Sequence, residues 1–132
     1  MSHQILVVSP NDNDLADTLR VLASAGYRAS GATTFEEAKE LLAIGSPDLV
    51  IADERLGAYN GLHVILRARA ARPDVSAIVT STWKDPALES EARRLNVQCL
   101  VRPQDPMELL EPISRTFDVA ETCARLVRST VH

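Results

Sequence analysis

The sequence predicts an α/β protein built on a doubly wound, five-stranded parallel sheet. Three observations carry that prediction. Five short apolar runs alternate with helix-patterned segments. The runs are nearly continuous rather than alternating, as expected of strands buried on both faces. The third, Leu49 to Ala52, stops at a carboxylate, Asp53. In such sheets the carboxyl ends of the strands carry the ligand-binding groups, and a charge there must meet water, a cation or a substrate.

Gln4 to Val8 reads as the first strand, and the polar loop Ser9 to Asp14 offers several N-caps for the helix after it. Leu15, Leu19 and Leu22 form that helix's apolar face, and Gly26 ends it as a left-handed cap. Tyr27 to Gly31 is a more polar strand suited to a sheet edge. Thr34 and Glu37 form a capping box for a second helix, with Ala38, Leu41 and Leu42 inward and Gly45 at its close. After Asp53 comes a loop, Gly57 to Asn60, and a third helix from about Gly61 to Ala71. Its pattern turns Leu62, Ile65 and Leu66 inward and Arg67 and Arg69 outward.

Pro73-Asp74 marks a turn into a fourth strand, Val75 to Val79, which ends in the hydroxyl run Thr80-Ser81-Thr82 before Trp83. Asp85-Pro86 opens the fourth helix as N-cap and first residue, with Leu88, Ala92 and Leu95 on one side. Asn96 occupies a left-handed cap position, and Val97 to Val101 is the fifth strand, followed by Arg102-Pro103. Asp105-Pro106 starts a last helical stretch. A stripe of Leu110, Ile113, Phe117, Ala120, Ala124 and Val127 extends it from about 113 to 130, with a kink or break expected at Pro112.

At 132 residues, with no repeat and no linker, the chain reads as one domain over 1–132. A net charge of −4 gives no basic field for direct nucleic-acid binding. There is no apolar run of about 18 residues for a membrane span, and no signal peptide. Cys99 and Cys123 lack any metal or redox spacing and read as reduced cysteines of a cytoplasmic protein. His3, His63 and His132 are too scattered to be metal ligands.

From about Ile5 to Thr116 this order of features resembles the receiver domain of two-component response regulators. Pro47 to Gly61 carries the likeness most specifically: strand, Asp53, the apolar Leu56 and Gly61 all fall at the family's spacing. Arg102-Pro103 with Asp105 to Leu109 is a second anchor. The resemblance implies a flavodoxin-like sheet of strand order 2-1-3-4-5. It implies a phosphorelay signalling role, not an enzyme, in which Asp53 accepts a phosphoryl group as an aspartyl-phosphate. Thr80 and Ser81 match the phosphoryl-binding hydroxyls, Arg102 aligns with the family's lysine, and Cys99 stands at the switch aromatic's position. A sensor histidine kinase or phosphotransfer protein is the implied partner, with signalling, and a homodimer, through the last two helices.

The departures are equally specific. Ser9 and Pro10 stand where the family keeps the two acidic residues that hold magnesium. Asp53 is left as the one aligned carboxylate ligand, so magnesium binding is expected to be weak; Asn11, Asp12 and Asp14 lie close enough downstream to reach back. Arg102 offers a planar fork that can pair with Asp53 directly. A pseudo-receiver, an interaction module that is not phosphorylated, is therefore the alternative reading. A nucleotide-binding enzyme on the same topology is disfavoured by the lack of a glycine-rich phosphate loop after the first strand.

Overall fold

The computed structural model describes the backbone of residues 3–130 and the side chains of residues 3–126. Its elements run β1 (Gln4–Val8), α1 (Asp12–Ser24), β2 (Arg28–Ala32), α2 (Phe35–Ile44), β3 (Leu49–Asp53), a two-stranded hairpin of β4 (Arg55–Leu56) and β5 (Tyr59–Asn60), α3 (Gly61–Ala71), β6 (Ser76–Ser81), α4 (Pro86–Arg94), β7 (Gln98–Val101), a 3-10 turn (Pro106–Leu109) and α5 (Leu110–Thr130). The main sheet has the order β2-β1-β3-β6-β7, every pair parallel. With the small hairpin set aside, this is the expected 2-1-3-4-5 order. The polar strand β2 does lie at an edge.

Alternation along the strands divides the core in two. Leu6, Val8, Val50, Ala52 and Val79 face the helices α2, α3 and α4, where they meet Ala38, Ile65 and Ala92. Ile5, Val7, Leu49, Ile51 and Ile78 face α1 and α5, packing on Leu15, Leu22, Ile113 and Phe117. This parity also fixes which residues meet at the rim. Continuing the second set by two residues puts Ser9, Asp53, Thr80 and Arg102 on the α1/α5 side.

The caps are mostly as read. Asn11, Thr34 and Asp85 cap α1, α2 and α4, and Gly26 and Asn96 have positive φ, 92° and 57°. In the Thr34 box only one arm closes as expected. The Thr34 hydroxyl accepts from Glu37 N–H, but the Glu37 carboxylate reaches one residue further back, to the backbone N–H and hydroxyl of Thr33. Those hydrogen bonds pull the Glu37 carboxyl below its ordinary range.

Three expectations fail. Leu66 is exposed, and Val64 and Ala68 fill the inward face of α3 instead. Arg69 is not an outward residue: its guanidinium donates to the backbone carbonyls of Val75, Leu95 and Asn96. It thereby ties the end of α4 to the start of β6. Pro112 neither kinks nor breaks α5, because the helix begins at Leu110 and places Pro112 in its first turn, where backbone N–H groups have no intrahelical acceptor. The discontinuity comes earlier, at the 3-10 turn capped by Asp105.

Along α5 the apolar stripe is core only as far as Phe117; Ala120 and Ala124 are exposed. Val127, the stripe's last member, and His132 lie outside the residues whose side chains are described. His3 stacks on Phe117 with ring centroids 3.9 Å apart.

Candidate functional site

Four adjacent strands end at one rim of the sheet, and the parity described above gathers their terminal side chains. Asp53, only 6% exposed, pairs in register with Thr80 on β6. The Thr80 hydroxyl donates to Asp53 Oδ1 at 3.1 Å, and the Arg102 guanidinium donates through Nη2 to Asp53 Oδ2. The other arm of the same guanidinium, Nη1, reaches Asp14 Oδ2 in the first turn of α1 at 3.2 Å. Arg102 is held at its backbone too, with its N–H on the Ser81 carbonyl at 2.7 Å. One cation thus joins two carboxylates, one from the end of β3 and one from the first turn of α1. Planarity suits arginine to this, since a fork can engage two acceptors at once.

Of the residues singled out from sequence, Asp53, Thr80 and Arg102 meet. Ser81 and Cys99 do not. Ser81 has the opposite strand parity, and its hydroxyl donates to the carbonyl of Trp83 at 2.6 Å. Cys99 faces α4, half-buried against the other core. Burial, with smaller contributions from Glu89, Glu54 and Asp85, pushes its thiol pKa up. Ser9 is buried at the end of β1, where its hydroxyl accepts from the Asn11 N–H at 3.4 Å.

The donor set does not fit magnesium. That ion takes oxygen ligands in near-octahedral geometry and is usually held by carboxylates. Here both Asp53 oxygens are engaged, Ser9 supplies a neutral hydroxyl, and Pro10 supplies no side-chain donor. The nearby Asp14 is spoken for by Arg102. Among the described residues there is no group of three His, Cys, Asp or Glu able to hold a metal. A guanidinium, rather than a second carboxylate, stands beside Asp53.

The segment after Asp53 is braced rather than loose. Glu54 N–H donates to the Thr80 carbonyl at 2.8 Å, and Gly61 N–H closes back on the Glu54 carbonyl at 3.0 Å. That return brings Gly61 hard against the strand end: a Cβ there would lie 2.4 Å from the Asp53 carbonyl oxygen and 3.0 Å from that of Ala52. Between the two, the hairpin is gripped by aromatic contacts. Tyr59 stacks on Phe35 at 4.2 Å, and the Arg55 guanidinium lies over the Trp83 ring at 5.0 Å. Trp83 itself is 54% exposed, so this contact faces solvent at the rim.

Beside Asp53, the carboxyl of Glu54 has a raised pKa, chiefly from burial and then from repulsion by Asp85. A carboxyl raised in the folded state favours folding below its unfolded pKa, near 4.5, and that contribution fades as pH rises through the folded value. Glu54→Gln is therefore expected to melt higher than the natural chain at pH 7, with the difference gone below pH 4.5. Thermal melts at the two pH values check this.

A sequence model of the response regulator receiver domain matches residues 5–114, most of the chain. A curated relative, the transcriptional regulatory protein LnrK of Bacillus subtilis, is 36% identical over 78 residues, covering 59% of this chain and 32% of its own. The chain therefore spans about a third of that regulator's length. Among solved structures, a CheY-like receiver domain from Methanospirillum hungatei JF-1 superposes with a TM-score of 0.83 at 22% identity, covering 92% of this chain and 98% of that one. NtrX from Brucella abortus gives 0.86 at 18% identity over 97% of this chain and 29% of that one. At those identities the structures speak for the fold. No helix among the described residues is long and apolar enough to cross a membrane. The family match, the sheet order and an aspartate at the end of β3 together make this chain a member of the response regulator receiver domain family.

Proposed function

We propose that this receiver domain works as an interaction module whose Asp53 carboxylate is paired from within by Arg102, without magnesium-dependent phosphorylation of Asp53. The observation that carries this reading is the guanidinium bridge from Asp53 to Asp14. Phosphoryl transfer to a carboxylate needs cationic stabilisation of the transferring oxygens, which receiver domains resemble one another in drawing from a metal. Here the acidic pair is replaced by Ser9-Pro10, and the carboxylate is already paired. Signals would then pass through protein contacts of the exposed rim and the last two helices. The partners would be a histidine kinase, a phosphotransfer protein, or a second copy of the chain.

One feature favours a second reading, metal-independent phosphorylation of Asp53. Thr80 and Arg102 both touch the carboxylate, and both could hold a phosphoryl group once it arrived.

A single experiment separates the two. The chain and its Asp53→Asn variant are incubated with acetyl phosphate, with and without magnesium, and weighed by intact-mass spectrometry. The proposal expects no mass gain that depends on Asp53 under either condition. A phosphoryl-sized gain that needs both Asp53 and magnesium overturns it, and a gain that needs Asp53 alone establishes the second reading.

A further inference from the structure

At the end of the sheet opposite Asp53, two adjoining grooves flank the Gly45–Pro47 turn. One, of about 430 Å³, lies between α2 and α3; the other, of about 330 Å³, lies between α2 and the starts of β1 and β2. They share Leu42, Gly45 and Pro47, so they adjoin on either side of the turn. Aliphatic groups, Leu42 and Val75 among them, supply much of the lining of the first. Ile44 borders the second and is 84% exposed, the most exposed of the large apolar side chains described.

The charge lining is one-sided. Every ionisable residue that lines the two grooves is a cation: Lys39, Arg67 and Arg72 in one, Arg28 in the other. Arg72 is satisfied by Asp48 at 3.0 Å and Asp74 at 3.4 Å. Lys39, Arg67 and Arg28 have no ion-pair partner among the described residues. Asp48 and Asp74 stand at the edge but are taken up by Arg72, so in a chain with 18 acidic and 14 basic residues the charges of the lining left unpaired are all positive. A lone exposed isoleucine needs no explanation. An isoleucine beside partly apolar grooves, with the unpaired cations Arg28 on its own groove and Lys39 and Arg67 on the adjoining one, has the anatomy of an interface: an apolar centre with a charged rim.

We propose that this face docks an acidic segment of a partner protein, one carrying aliphatic residues that pack on Leu42 and Ile44 and carboxylates that meet Lys39, Arg67 and Arg28. The complementarity identifies the partner by sign and by shape. A concave, partly apolar groove with three free cations suits a peptide or helix laid into it. An anionic membrane, by contrast, is gripped by larger basic clusters on protruding surfaces. The face is remote from the Asp53 rim, so the inference stands or falls independently of how that rim is used.

The test is a selection of random helical peptides displayed on phage, with the full chain as bait, followed by fluorescence anisotropy of the selected peptides. The expected peptides are rich in Asp and Glu beside Leu or Ile. Their affinity is expected to fall about tenfold or more in the Lys39→Glu/Arg67→Glu double variant. It should fall similarly with Ile44→Asp and on raising salt, and stay unchanged with Lys84→Glu, an exposed lysine next to Trp83 and away from the grooves. Because Lys39, Arg67 and Ile44 are exposed, these variants are expected to melt near the natural chain, which excludes misfolding as the cause. Selected peptides with no acidic excess, binding that survives the double charge reversal, or tighter binding to phosphatidylserine vesicles than to the peptides would each overturn the proposal.

Discussion

Arg102→Ala is expected to lower stability by about 1–3 kcal/mol, a fall in melting temperature of roughly 3–6 °C for each kcal/mol in a chain of this size. The reasoning starts from burial. Asp53 is almost fully enclosed, and its two oxygens have one hydroxyl donor and one guanidinium between them. Removing one partner of a buried ion pair typically costs about 3–5 kcal/mol, because the charge left behind has neither water nor counter-ion. The Arg102 side chain is 31% exposed, so water can enter where it stood and the lower range applies.

Asp53→Asn should be milder, since an amide needs no counter-ion and Arg102 keeps Asp14. In the double variant the penalty of losing Arg102 should largely disappear. Denaturant melts of the four chains give the coupling directly, and equal losses for Arg102→Ala with and without Asp53 would mean the two groups do not act on each other. Arg102→Lys is expected to recover part of the loss. Its single point charge can satisfy Asp53 but cannot span to Asp14 as well.

Gly61→Ala is expected to cost about 3 kcal/mol, at the upper end of the usual overpacking penalty. The added methyl would stand 2.4 Å from the Asp53 carbonyl oxygen, a main-chain atom that cannot rotate aside. Relief requires α3 to back away from β3. That movement would strain the Gly61 N–H bond to Glu54 and the Asn60 cap, whose side chain accepts from His63 N–H. The same shift disturbs the strand end that carries Asp53, so the amide signals of Asp53 and Thr80 should move even in conditions where the variant is folded. A substitution costing less than about 0.5 kcal/mol, within the range of ordinary surface changes, would show that the close approach is not maintained in solution.

Much of the fold was legible because its signals are local. Five apolar runs, the caps Thr34 and Asp85, and the left-handed positions at Gly26 and Asn96 depend on neighbours within a few residues, and each keeps its sequence reading. Where the reading failed, the deciding partner was distant in the chain. Arg69 looks like a solvent-facing helix residue until α4 and β6 bring three carbonyls to it. Helical periodicity alone leaves the centre of the inward face of α3 open by a residue, and in the fold it falls on Val64, Ile65 and Ala68 rather than Leu66. The expected break at Pro112 was misplaced because the helix start, set by Asp105 and the 3-10 turn, could not be fixed to the residue.

The candidate site divides in the same way. The likeness to receiver domains was enough to associate Asp53 with Thr80, whereas only the strand parity of the folded sheet separates Ser81, which the sequence groups with Thr80 as a single hydroxyl run. Asp14 was one of three downstream residues that could reach the rim, and only the closed fold shows that it does so through Arg102. Gly61 belonged to the family's spacing from the outset, but its physical reason, the approach to the Asp53 carbonyl, is a tertiary contact. The grip of Arg55 on Trp83 and of Tyr59 on Phe35 had no sequence signal beyond the presence of the aromatic residues themselves.

The central claim is that a tethered guanidinium, and no divalent ion, is the counter-charge of Asp53. A magnesium titration of the natural chain, followed by the amide shifts of Asp53, Thr80 and Arg102, tests it most directly. The account predicts no saturable change at those three positions through millimolar magnesium. Saturation at low millimolar concentration, confined to the same residues and abolished by Asp53→Asn, would contradict it.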